Sequence, residues 1–230
     1  MVDKICEHII AQNYSLQDAL NAIQICLSTP GTSKETRGDL GELAVLYTLL
    51  ALHQQFPKIT KVYHSVLMKK QRGDWTNEID FIFVTPFAVF VIEAKSYYGN
   101  TTIGEDHKFT VKNRYSVKTY DVVYQNQSHC KTLYQYIYSY IKGPKVIKPL
   151  VALFSIGTIT DIRTPEQRNE YPVLNVENLY NYLSKIMYTG LANGMKPKVN
   201  FPKCVREINR QNIQSKENML EHVKRIQNLR

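Results

Sequence analysis

Apolar residues at helical spacing open the chain: Leu16, Ala19, Leu20, Ile23 and Leu27 share one stripe within residues 2–27. The run Ser-Thr-Pro-Gly-Thr-Ser at 28–33 breaks that pattern, so residues 1–30 form a helical extension ahead of the core. A second helix is expected from near Gly38, capped by Thr36 or Asp39, to about Gln55, ahead of Pro57. Glu42, Val45, Leu46, Leu49, Leu50 and His53 fall on its inward face. A carboxylate on that stripe is costly unless it is paired or binds a metal, which singles out Glu42. The pattern then shifts to a period of two. Residues 59–68, 78–85 and 87–96 predict three strands, and 108–111 a short edge strand. A helix over 121–141 stops at Gly143-Pro144, and 146–155 is apolar enough for a central strand. A strand at 172–176, a helix at 178–188, an irregular stretch at 189–204 and a polar, basic helix at 205–229 complete the order. This order predicts an α/β (α+β) layered fold around a mixed sheet.

Composition adds one fact to that picture. Among 230 residues, 29 Lys and Arg outnumber 20 Asp and Glu, a net charge of +9. Such a balance favours a polyanionic partner, nucleic acid before an anionic membrane surface. No run approaches the roughly 20 apolar residues a bilayer demands, and residues 1–11 lack the apolar core of a signal peptide. Cys6, Cys26, Cys130 and Cys204 are scattered without zinc-ligand spacing. The expectation is a cytoplasmic protein with reduced thiols and no membrane contact.

The chemistry concentrates in the second and third strands. Alternation places Asp80 with Ile82 and Val84, and Glu93 and Lys95 with Val89 and Val91. A tight hairpin about Pro86-Phe87, with Thr85 facing Ala88, sets Asp80 opposite Glu93, with Cβ atoms about 5 Å apart. Two carboxylates that close repel unless a cation lies between them. Mg²⁺ or Mn²⁺ suits Asp80, Glu93, the Ala94 carbonyl and waters. Such a metal activates water and polarises phosphoryl oxygens. Lys95 is placed to steady the water or the developing phosphorane charge. The plain alternative is a Glu–Lys pair on a wet sheet face. Its apolar neighbours and Glu42 weigh against that. Lys69, Lys70 and Arg72 beside Trp75 offer a phosphate grip with a stacking ring, or simply a solvated hairpin tip.

Four blocks carry a resemblance: Gly38-Asp-Leu-Gly-Glu42, Asn77-Glu-Ile-Asp80, Val89-Phe-Val-Ile-Glu-Ala-Lys-Ser96, and Tyr124-Gln125 with His129. Together they resemble the NERD (nuclease-related domain) family over residues 36–155, leaving 156–230 as a C-terminal extension. The resemblance implies a PD-(D/E)XK-type, restriction-endonuclease-like three-layer core and a metal-dependent nuclease cutting phosphodiester bonds of DNA. A catalytically weak nucleic-acid-binding module and a non-enzymatic interaction protein are the alternatives. It makes Asp80 and Glu93 metal ligands, Lys95 the catalytic lysine, Glu42 a supporting acid, and Gln125 the residue that orients Lys95 or the phosphate. The family often has Asn-Pro shortly before this glutamine; here the segment is Asp121-Val-Val-Tyr-Gln125. His129 lies one helical turn beyond Gln125 and is expected to be a packing or surface residue.

Overall fold

The computed structural model describes residues 16–28, 33–70, 75–215 and 218. In chain order the elements are α1 (Leu16–Ser28), α2 (Lys34–Gln55), β1 (Lys61–Lys69), β2 (Thr76–Val84), β3 (Val89–Tyr98), β4 (Asn100–Ile103), β5 (Phe109–Lys112) and β6 (Val117–Tyr120). There follow α3 (Val122–Ile137), β7 (Ile147–Ile156), β8 (Ile159–Asp161), α4 (Pro165–Glu170), β9 (Val173–Asn175), α5 (Val176–Ala192) and α6 (Phe201–Gln211).

The central sheet runs β1-β2-β3-β7-β9, antiparallel through β3 and parallel beyond it. Strands β2 and β3 are continuously apolar next to their turn, over residues 81–84 and 89–92, because both faces of the sheet are covered there. On one face α1, α2 and α5 bury Leu43, Leu49, Phe81, Phe83, Phe90, Ile92 and Leu179. On the other, α3 and α6 enclose Val66, Ile82, Val84, Val89, Val91, Leu133 and Ile208. The protein is thus a mixed α/β fold around a mixed sheet, as its pattern predicts, with helices on both faces of that sheet.

The β2–β3 turn sets the register. Thr85 Oγ1 accepts from the N–H groups of Phe87 and Ala88, and donates to the Ala88 carbonyl at 2.8 Å. The expected Thr85–Ala88 facing holds, with Val84 pairing Val89 and Phe81 pairing Ile92. That ladder ends at Phe81, leaving a fork between β2 and β3 just where Asp80 and Glu93 come level.

Other boundaries differ from expectation. Ser33 caps α2 by accepting from Thr36 N–H, so the helix starts at Lys34 rather than near Gly38. Helix α3 ends at Ile137 and tightens into a 3₁₀ turn over Tyr138–Tyr140. Phe201–Gln211 is helical where irregular chain was expected over its first part. Beyond Asn212 the chain leaves the helix and pairs with the β1 edge, Ile213 N–H reaching the Leu67 carbonyl at 2.9 Å. The extension over 1–15 and the last part of the expected basic helix lie outside the described residues. A second sheet, β6-β5-β4-β8, is inserted between β3 and α3 and continued after β7. Only its β5 strand was expected. Among the described residues no helix is long and apolar enough to cross a membrane.

Candidate active site

The first element of the site is a local fault in the sheet. Regular alternation would keep Ile79 on the opposite face from Ile82, yet both lie in the α3-side core, while Phe81 lies in the α2-side core. Strand β1 slips in step: Ser65 takes a left-handed φ of 49°. His64 pairs with Phe81 and Val66 with Ile79, leaving Ser65 and Asp80 as the unpaired step between them. A paired irregularity of this kind re-aims a side chain without breaking the register. The residue re-aimed here is Asp80, and its expected grouping with Ile82 and Val84 does not hold. Its Oδ2 accepts the Ala94 N–H at 2.8 Å across the fork. An extended residue directs its N–H and C=O to the same edge, so the Ala94 carbonyl also faces the fork.

Glu93 is fully buried on the α3 side of β3. Its Oε1 accepts from Lys95 Nζ. Its Oε2 lies 3.1 Å from His129 Nδ1. The two atoms face each other in a buried contact between β3 and α3. Helix α3 holds His129 there. Asp121 caps the helix through Tyr124 N–H. Asn126 Nδ2 donates to the carbonyls of Val91 and Leu150 at 3.2 and 2.9 Å. Asn77 Nδ2 donates to Thr132 Oγ1 at 2.7 Å.

Helix α2 brings the third acid. A Cβ on Gly41 would stand 3.0 Å from Ser96 Cβ, so the glycine lets the helix lie this close beside Lys95 without crowding Ser96. The next residue, Glu42, was expected on the buried stripe. It instead stands at the rim, with its side chain 38% exposed and Oε2 at 3.3 Å from His64 Nε2. His64 also meets Ser65 Oγ at 3.1 Å and stacks on Phe81.

The electrostatics follow from this crowding. Burial, and then the Glu93 charge, push Asp80 well above the ordinary carboxylate range. Burial pushes Glu93 upward too, but the nearness of His129 and Lys95 outweighs it and holds Glu93 low. Lys95 is lowered by burial and raised further by Glu93 and Asp80, ending above its ordinary value. Glu78 is raised by burial and by Glu42.

Asp80, Glu93, Lys95 and the Ala94 backbone therefore converge, with Glu42 at the edge. Gln125 is exposed near the start of α3. His129, expected to be a packing or surface residue, is the α3 residue that meets Glu93. Lys69 and Trp75 are exposed and Lys70 half-buried at the far end of the β1–β2 hairpin, while Arg72 lies outside the described residues. His64 and Glu78 were not singled out by the sequence, although Glu78 stands two residues before Asp80. Among the described residues no group of three or more His, Cys, Asp or Glu side chains forms a ready-made metal cage.

A mixed sheet covered on both faces, with a buried acid pair and a lysine at a strand fork, defines the class. Residues 37–154, just over half the chain, match the family model described as nuclease-related domain. The chain belongs to the NERD family. No curated protein matches it. Among solved structures, the crystal structure of protein VC1899 from Vibrio cholerae is similar, with a TM-score of 0.39 and 15% identity. That match covers 76% of this chain and 43% of the Vibrio protein, so the chain spans less than half of that protein's length.

Proposed function

We propose that the chain is a Mg²⁺- or Mn²⁺-dependent nuclease that hydrolyses phosphodiester bonds of DNA. The observation that carries this reading is the fully buried Glu93 carboxylate across the fork from an Asp80 that burial and the Glu93 charge have destabilised. The donor set fits a hard cation: two carboxylates and one carbonyl, from Asp80, Glu93 and Ala94, the rest left to water and phosphate. When bound, the cation would lower the pKa of a water and polarise the phosphoryl oxygens. The chain's own groups do the remainder. Lys95 donates to the attacking water or to the phosphorane oxygens. His129 fixes the Glu93 carboxylate from the helix side, and Glu42 with His64 holds water at the rim. The +9 charge supports a polyanionic substrate.

One observation favours a second reading. Lys95 and His129 flank the two oxygens of Glu93, an arrangement a catalytically silent nucleic-acid-binding module would also keep. Incubation of plasmid and linear DNA with purified protein separates them. Cleavage is expected only with Mg²⁺ or Mn²⁺, stopped by chelator, and abolished in Glu93→Gln and Lys95→Ala. Equal cleavage by Glu93→Gln would move the site elsewhere. Binding with no cleavage of any DNA or RNA favours the silent module.

A further inference from the structure

We propose that the β5–β6 hairpin is an arm that grips single-stranded nucleic acid and leads it to the Asp80–Glu93 fork. The proposal rests on the phosphodiester reading above and names the form of its substrate. The hairpin belongs to the insertion between β3, which carries Glu93 and Lys95, and α3, which carries His129. It is pinned to the site: Tyr120 on β6 stacks on Tyr97, two residues beyond Lys95, with ring centroids 5.1 Å apart. The Tyr97 hydroxyl is buried there without a hydrogen-bond partner. Alternation puts Lys118 on the same face of β6 as Tyr120. Tyr97 and Tyr120 thus join the hairpin to the strand that carries Lys95, with Lys118 further out on the same face of β6.

The tip is built rather than loose. Asn113 Oδ1 accepts from the N–H groups of Tyr115 and Ser116 at 2.9 and 2.8 Å and from Ser116 Oγ at 3.2 Å. That turn presents Tyr115, 86% exposed, with the Arg114 guanidinium 5.7 Å from its ring. Lys112, Arg114 and Lys118 are all exposed, and no Asp or Glu occurs between Asp106 and Asp121. Edge lysines keep a strand from pairing with another chain. This accounts for Lys118 but not for an aromatic ring left almost wholly in water. A cation-flanked exposed ring matches a phosphate backbone with an unpaired base stacked on it, and bases within a duplex offer no such face.

The test is fluorescence anisotropy of dye-labelled single-stranded DNA and RNA and of duplex DNA, with the full chain and chelator present to prevent cleavage. Tyr115→Ala is expected to weaken single-strand binding about 10-fold, with Tyr115→Phe restoring it, because the ring stacks. Replacing Lys112, Arg114 and Lys118 together by alanine is expected to flatten the salt dependence of single-strand binding by about 2 in the log–log slope. Duplex binding should change less in both variants. All four residues are exposed, and a thermal melt checks that the fold is unchanged. Tight single-strand binding by the parent that both variants keep would overturn the arm and leave the nuclease reading standing. An equal loss on duplex would also overturn it, as a general basic surface. No binding by the parent at low salt would remove the arm.

Discussion

Two charged clusters in this molecule are buried in opposite ways. Around β8, the Arg163 side chain is fully enclosed, and each of its three nitrogens has an acceptor. Nε and Nη2 reach the two oxygens of Asp161 at 2.9 and 2.7 Å, and Nη1 reaches the Tyr171 carbonyl at 2.8 Å. Arg168 then caps the Arg163 and Asp161 carbonyls. Around the β2–β3 fork, Glu42, Glu78, Asp80 and Glu93 gather about Lys95, His64 and His129, and burial with the Glu93 charge pushes Asp80 well above the ordinary carboxylate range. The first cluster is complete and holds the chain between β8 and β9. The second has more negative charge than its own cations offset, a state that folding alone does not favour. The difference marks which cluster is built to receive something.

The comparison breaks most sharply at Asp161. Removing one partner of a buried pair strands the other, so Asp161→Ala is expected to destabilise the protein by about 3 kcal/mol. A urea melt measures it. Burial alone would raise Asp161, but Arg163 outweighs it and lowers the carboxyl below its ordinary 3.8. A lowered folded value means this stability is present above the unfolded carboxylate's value and is lost as pH falls through the lowered one. Melts between neutral pH and about pH 3 should show that loss in the parent and not in Asp161→Ala.

The fork should respond with the opposite sign. Asp80→Asn keeps an acceptor for the Ala94 N–H and removes a charge that burial disfavours. Without added cation it is expected to melt higher than the parent, by on the order of 1 kcal/mol, while cleavage is lost. A lower melting temperature would mean that Asp80 is satisfied in the way Asp161 is.

The smallest effect on stability is expected at Gly41. Alanine gains about 1 kcal/mol of helix propensity. It also puts a Cβ 3.0 Å from Ser96, which has to give or push the helix away. These terms nearly cancel, so Gly41→Ala should melt close to the parent yet cleave more slowly, because Glu42 and Lys95 move apart. Unchanged cleavage would remove the close approach from the site.

The same contrast explains what could be read in the sequence. The apolar runs of β2, β3 and β7 and the turn at Pro86-Phe87 are strong local signals, and they carried the register that brings Asp80 level with Glu93. The paired slip at Ser65 and Asp80 has no such signal, because alternation was assumed regular and a single Ser or Asp inside a strand-like run does not mark a break. The β4, β6 and β8 strands are three or four residues long and rich in Thr, and their pairing is set by the sheet they join. Pro202 at the start of α6 suggests a break, though proline is well placed in a helix's first turn. His129 was set aside because a histidine on a helix face more often packs than acts. Only its position against the buried Glu93 distinguishes it. The Asp161–Arg163 pair lies close in sequence, but its burial depends on Tyr171 and Arg168 folding over it.

The most direct measurement is anomalous diffraction from crystals of the protein soaked in Mn²⁺. A cation peak is expected in contact with the carboxylates of Asp80 and Glu93 and facing the Ala94 carbonyl, absent from Glu93→Gln crystals soaked in the same way. Soaked parent crystals with no peak at the fork, and Lys95 still paired to Glu93, would contradict the assignment of this acid pair as a metal-dependent nuclease site.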